Sequence, residues 1–184
     1  MFIQTELTPN PATLKFLPGR EVLEAGTFEA KTLDEAKTSP LAAALMELPG
    51  VGAVFFAPDF ISVTKTEGEW QHLRPAVLGV VTEFFLSGAP VLTGSAKVSS
   101  EFFAAEDAET VETIKELIET RVRPAVAGDG GDIVFRGYRD GVVRLHMQGA
   151  CSGCPSSSAT LKHGIENMLR HYVPEVRSVE QVMF

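Results

Sequence analysis

The sequence predicts an α+β protein built from two small α/β-layer domains, the C-terminal one in the order helix, strand, strand, helix, strand. Three observations carry this expectation. Short apolar runs of strand length alternate with longer segments of helical period, which fits neither an all-α nor an all-β chain. A stretch near the middle, residues 89–105, contains Gly and Ser, carries one Lys and one Glu, and shows no sustained periodicity. Finally, 184 residues with 45% hydrophobic and 22% charged side chains supply core for two units of roughly 80 to 90 residues, enough without disulfide staples. The expected division is a first domain over 1–88, a linker over 89–105 and a second domain over 106–184.

In the first domain, Phe2 to Leu7 and Thr13 to Leu17 are β-like runs on either side of Pro9-Asn10-Pro11, a turn signal. Thr27 to Ala30 adds a short third strand. Pro40 to Leu48 reads as a helix with Ser39 as its N-cap and Pro40 in the first helical position, where the missing N–H is no loss. Ala53 to Ala57 and Phe60 to Lys65 form a hairpin around Pro58-Asp59. A second helix runs from about Pro75 to Leu86. Phe102 and Phe103 in the linker are candidates for docking onto a domain.

In the second domain, Val111, Ile114, Leu117, Ile118 and Val122 recur at helical spacing, with Glu112, Lys115, Glu116 and Glu119 on the other face. Arg123-Pro124 ends or kinks that helix. Asp129-Gly130-Gly131-Asp132 is a turn, Ile133 to Tyr138 a strand, and Asp140-Gly141 a strong hairpin signal leading to the return strand Val142 to Gln148. Pro155 opens a helix with Leu161, Ile165, Met168, Leu169 and Tyr172 along one face. Val176 to Met183 supplies a last strand. His146 falls on the polar alternation of its strand, which predicts a solvated side chain; His163 is expected on a helix surface. Arg121, Arg123, Arg136, Arg139 and Arg144 are read as solvated-face residues.

Composition removes several function classes. A formal net charge of −8 argues against capture of nucleic acid or of an anionic membrane, both of which need a basic face. No stretch approaches the roughly 18 apolar residues of a membrane span. The start, Met1-Phe2-Ile3-Gln4-Thr5-Glu6, resembles neither a secretion signal nor an Arg-rich transit segment. Two cysteines are too few for a disulfide scaffold.

Those two, Cys151 and Cys154, lie between a strand end and a helix start. A CxxC loop brings two thiols close enough to bridge or to grip one metal centre. Cys154 takes the N-cap position, where unpaired N–H groups and the helix dipole favour a thiolate; Ser156, Ser157 and Ser158 add hydroxyls there, and Gly153 permits a tight turn. Three chemistries compete. Dithiol–disulfide exchange fits the spacing but lacks the usual βαβ context. Structural zinc wants four N or S ligands, thin supply from two Cys and four His. An iron–sulfur cluster usually takes four thiolates, which two copies facing across a two-fold axis would provide. Paired glycines at 130–131 could shape the pocket, because they permit close backbone approach.

Gly149-Ala150-Cys151-Ser152-Gly153-Cys154-Pro155-Ser156-Ser157, followed by Thr160-Leu161-Lys162-His163-Gly164-Ile165-Glu166, resembles the signature of the NifU C-terminal (Nfu) domain. Arg123-Pro124 and Asp129-Gly130-Gly131-Asp132 fit the same pattern at the same distance upstream. The segment from Met1 through Pro9-Asn10-Pro11, Leu14-Lys15-Phe16 and Pro18-Gly19 resembles the N-terminal Nfu domain. The resemblance implies a non-enzymatic iron–sulfur cluster carrier: a homodimer bridging a [4Fe–4S] cluster through Cys151 and Cys154 of each protomer. It further implies an upstream scaffold as donor and apo-proteins such as lipoyl synthase or aconitase-type enzymes as recipients. The expected location is a bacterial cytoplasm, or the mitochondrial matrix for a processed mature form. Thiol–disulfide exchange by the same cysteine pair is the alternative.

Overall fold

In a computed structural model the described residues are 1–94, 101–152 and 155–183, with the side chains of 155–157 excepted. The chain divides into two compact units, Met1–Lys97 and Val98–Phe184, and its secondary structure is mixed α+β, as the sequence predicts.

The first unit is a five-stranded antiparallel sheet in the order β1-β2-β5-β4-β3. Its strands are β1 (Gln4–Leu7), β2 (Thr13–Leu17), β3 (Phe28–Ala30), β4 (Val51–Phe56) and β5 (Ile61–Lys65). Three helices, α1 (Leu33–Ala36), α2 (Pro40–Met46) and α3 (Trp70–Ser87), complete it. Leu14 and Phe16 of β2, Val54 and Phe56 of β4, and Ile61 and Val63 of β5 point one way because alternate strand residues share a face. There they join Leu41 and Leu45 of α2 and Val77, Val81 and Phe85 of α3 in one core. The anticipated cap is present: Ser39 Oγ accepts from Ala42 N–H at 3.2 Å, with Pro40 in the first turn. The same hydroxyl donates to Val91 O at 2.6 Å, and Thr93 N–H donates to Thr38 O at 2.8 Å. Residues just after α3 are thereby tied to the start of α2.

Two helical boundaries differ from expectation. α3 begins at Trp70, one turn and more before Pro75. The early start is anchored by the indole of Trp70, whose Nε1–H donates to Pro11 O at 3.1 Å. Tertiary anchoring thus outweighs the bond that Pro75 cannot donate. The short α1 was not anticipated, although Thr32-Leu33-Asp34-Glu35 carries its signal: Thr32 Oγ1 accepts from Glu35 N–H, and the Glu35 carboxylate accepts from Lys31 N–H.

The second unit is a three-stranded sheet in the order β6-β7-β8. It comprises α4 (Ala108–Leu117), a π-type turn (Ile118–Val122), α5 (Arg123–Gly128), β6 (Gly131–Arg139), β7 (Val142–Gly149), α6 (Pro155–Tyr172) and β8 (Ser178–Val182). The Asp140-Gly141 turn closes the β6–β7 hairpin with both residues at positive φ, 52° and 80°, the backbone of a two-residue primed turn. β8 pairs with β7 in parallel. Ile133, Phe135 and Tyr138 of β6, Val143, Leu145 and Met147 of β7, and Val179 of β8 meet Val111, Ile114, Ile165 and Leu169 from the helices. The helices therefore cover one face of this sheet. Arg123-Pro124 kinks the helix without ending it: the π-type turn absorbs the break and α5 continues to Gly128.

Gly79 in α3 and Gly164 in α6 each have no atom within 4 Å of where a Cβ would stand, and neither has a positive φ. Gly79→Ala and Gly164→Ala are each expected to stabilise their own unit by roughly 0.5–1 kcal/mol, because alanine gives up less chain entropy in a helix. Thermal unfolding checks this. The single Trp, Trp70, reads the first unit, and both Tyr residues, Tyr138 and Tyr172, read the second.

Candidate thiol site at the open end of the second sheet

β6 and β7 begin and end together, with Gly131 opposite Gly149 in the register. Gly130 enters β6 at φ 82° and Gly149 leaves β7 at φ 63°, backbone that L side chains rarely adopt. The chain then doubles back on the turn before β6. Ala150 N–H donates to Gly130 O at 3.1 Å, while Ser152 N–H and its hydroxyl both donate to Gly149 O at 3.1 and 3.0 Å. These bonds carry Cys151 inward. It is buried and packs in the core of the second unit.

The thiol lies directly on Gly131. A Cβ added there would stand 2.5 Å from Cys151 Sγ, 2.7 Å from Gln148 O and 3.0 Å from Cys151 N. Of the paired glycines, Gly131 therefore abuts one of the two cysteines. Asp132, the acidic neighbour, faces a different partner: Arg123 Nε donates to its Oδ1 at 2.8 Å and an Arg123 terminal nitrogen to its Oδ2 at 2.9 Å. Ile133 N–H adds a third bond to Oδ1 at 2.8 Å, and Glu119 takes the remaining guanidinium arm at 2.6 Å. Asp132 is buried and Arg123 half-buried. The carboxylate's hydrogen bonds raise the proton affinity of Arg123 further above its ordinary range.

Burial, with a smaller contribution from the charges of Asp129 and Asp132, pushes the Cys151 thiol up to about 12. The thiolate expected from the dipole at the start of α6 concerns Cys154, and Cys151 does not share it. Cys151 sits in the core beside two carboxylates. Cys154 and Gly153 lie outside the described residues, as do the side chains of Ser156 and Ser157. In a Cys154→Ser variant, alkylation of Cys151 by iodoacetamide is expected to keep rising with pH through about pH 11, since only thiolate reacts. A plateau by about pH 9, near the ordinary thiol value, would contradict this burial.

His146 is a correction. It is buried, and its Nδ1 lies 3.1 Å from Val182 O, because the parallel pairing of β8 brings Val182 alongside it. His163 is exposed on α6, as expected. Among the described residues no three His, Cys, Asp or Glu side chains are grouped to hold a metal ion. Of the arginines read as solvated, Arg121 and Arg139 are exposed, whereas Arg123, Arg136 and Arg144 are half-buried. The Arg123–Asp132 pair was missed although Arg123-Pro124 and Asp132 were both singled out. The two stand nine positions apart, on α5 and β6, and no local pattern encodes how those elements pack.

Fold and site together define a two-unit α+β chain whose second unit presents a cysteine against a glycine turn at one end of a small sheet. The family model for the NifU-like domain matches residues 114–180, and that for the scaffold protein Nfu/NifU N terminus matches residues 3–88. The chain is 51% identical to the Homo sapiens protein named "NFU1 iron-sulfur cluster scaffold homolog, mitochondrial" over 185 residues, covering 100% of this chain and 72% of that one. It is 54% identical to the Drosophila ananassae protein of the same name, covering 99% of this chain and 64% of that one. The chain thus spans a little under two thirds of that relative's length. A solution structure of a NifU-like protein from Saccharomyces cerevisiae is similar at 25% identity and TM-score 0.46, over 52% of this chain and 87% of that one. The chain belongs to the Nfu family of NifU-like proteins.

Proposed function

We propose that this protein is an iron–sulfur cluster carrier rather than an enzyme. In this reading two copies hold a [4Fe–4S] cluster as cargo through Cys151 and Cys154 of each and release it to apo-proteins. The relatives' printed names support the scaffold role. The observation that carries it in the chain itself is the setting of Cys151, a thiol seated on Gly131 within the segment matched by the NifU-like domain.

Two thiols per chain fall short of the four a cluster usually takes, and a second copy makes up the difference. Cluster binding takes the proton from each ligating thiol, so loading is coupled to proton release and is favoured by rising pH. A neutral thiol at Cys151 serves a carrier: with the cluster gone, reprotonation leaves an uncharged group in the core. It serves the alternative, dithiol–disulfide exchange, poorly, since Cys151 is then a weak attacking group.

The division of labour follows the domain boundaries: 106–184 holds the cluster, 89–105 links, and 1–88 contributes recognition. Donor and recipients are an upstream iron–sulfur scaffold and apo-enzymes such as lipoyl synthase or aconitase-type dehydratases. Of the two expected locations, a mitochondrial one is supported by the relatives' names, which say "mitochondrial". No described helix is long and apolar enough to cross a membrane.

Anaerobic reconstitution with iron and sulfide tests the reading. About four iron and four sulfide per dimer are expected, lost in Cys151→Ser and in Cys154→Ser. A colourless monomer that takes up no iron, or a protein that purifies with zinc alone, would overturn it.

A further inference from the structure

Outside the thiol site, the half-buried Arg136 of the second unit has a buried guanidinium nitrogen with no acceptor among the described residues. Arg136 sits at a register shift in β6 that sets it and Gly137 opposite Arg144, and such bulges re-aim a side chain. Its Nε is buried and has no hydrogen-bond partner among the described residues. Glu101, whose charge acts on Arg136, is engaged by Lys115 Nζ at 2.8 and 3.0 Å. Buried donors are almost always satisfied, so an orphan on a guanidinium calls for an explanation.

Beside it stands a fixed aromatic. Phe102 N–H donates to Arg136 O, and Phe102 O accepts from Tyr138 N–H, both at 3.0 Å, so the residue lies as an added rung along β6. Its ring fills the place a side chain at Gly137 would take. The Arg144 guanidinium stacks on that ring 5.1 Å from its centroid, and Arg144 reaches Glu180 only at 3.5 Å. Phe102 and its neighbour Phe103 nonetheless remain 40% exposed each. A pre-positioned, half-exposed ring thus lies under one guanidinium, and its residue is bonded through the backbone to a second arginine, in a chain of net charge −8. Arg and aromatic residues are the usual anchors of protein interfaces, and a planar guanidinium suits a carboxylate.

We propose that Arg136, Arg144 and Phe102 form a docking patch for an acidic segment of a partner protein, with carboxylates on the two guanidinium groups and an apolar side chain on the ring. A partner carboxylate would meet the terminal nitrogens of Arg136, for which no described residue is an acceptor, while the buried Nε stays enclosed. The patch uses neither cysteine, so it stands or falls independently of cluster binding.

The test is an anisotropy titration of the full chain with a fluorescein-labelled peptide of about twelve residues that alternates Glu with Leu and Phe, at about 50 mM salt. Arg136→Gln and Arg144→Gln are each expected to weaken binding by about tenfold or more. Arg139→Gln, which removes an equal charge from an exposed hairpin arginine, is expected to change it less than about twofold. A peptide with Gln for every Glu is expected not to bind. Unaltered near-ultraviolet Tyr dichroism and unaltered iron loading in Arg136→Gln separate docking from folding and from the carrier reading. Three results would overturn the proposal: no binding of the acidic peptide, an equal loss in Arg139→Gln, or self-association of the chain that Arg136→Gln abolishes. The last would make a second copy the occupant.

Discussion

Arg123→Gln is expected to destabilise the second unit by about 3–5 kcal/mol, the range for removing one partner of a buried ion pair. The loss exceeds that of an ordinary salt bridge because of what is left behind. Asp132 is 4% exposed, and without the two guanidinium bonds its carboxylate keeps only the Ile133 N–H as a donor among the described residues. The partial exposure of Arg123 argues for the lower part of that range. Since 1 kcal/mol moves the midpoint of a unit this size by roughly 4–8 °C, the transition should fall by more than 10 °C. It should appear in the dichroism of Tyr138 and Tyr172 and leave the Trp70 fluorescence transition in place. Arg123→Gln combined with Asp132→Asn is expected to be milder than Arg123→Gln alone, because no charge is then stranded. A midpoint unchanged in Arg123→Gln would mean that the pair contributes no more than a surface bridge.

Gly131→Ala is expected to abolish most of the cluster loading while lowering stability by about 1–3 kcal/mol, the usual penalty of overpacking. The new methyl would fall 2.5 Å from Cys151 Sγ and 2.7 Å from Gln148 O. The carbonyl belongs to the paired strand and cannot swing aside, so the sulfur must give way. Displacement has a second signature independent of iron: in a Cys154→Ser background, a Cys151 pushed out of the core should be alkylated faster at pH 8 than in the parent. Gly164→Ala is the control, since it adds a methyl to the same unit in open space. Full cluster loading by Gly131→Ala would show that the close approach of glycine and sulfur is incidental to ligation.

The features legible in the residues are those whose cause lies within one turn of chain. Asp140-Gly141 specifies a primed hairpin because few residue pairs tolerate two positive φ angles. Ser39-Pro40 starts a helix because a hydroxyl and a missing N–H suit the same four orphan donors. The CxxC loop with its flanks is read the same way, and it names the family before any packing is known.

The features that escaped are sums over distant chain. Whether His146 is solvated depends on β8 arriving beside it, some 36 positions later. Phe102 finds its place on Gly137, and Cys151 on Gly131, through pairings no local pattern encodes. Arg123 reaches Asp132 only through the way α5 and β6 pack together. The state of the Cys151 thiol escaped for the same reason: the helix dipole read for Cys154 is a local influence, whereas desolvation at Cys151 is set by everything packed around the sulfur. Motif and element order therefore belong to the sequence, and the strand pairing, the charge state and the walls of the site belong to the packed unit.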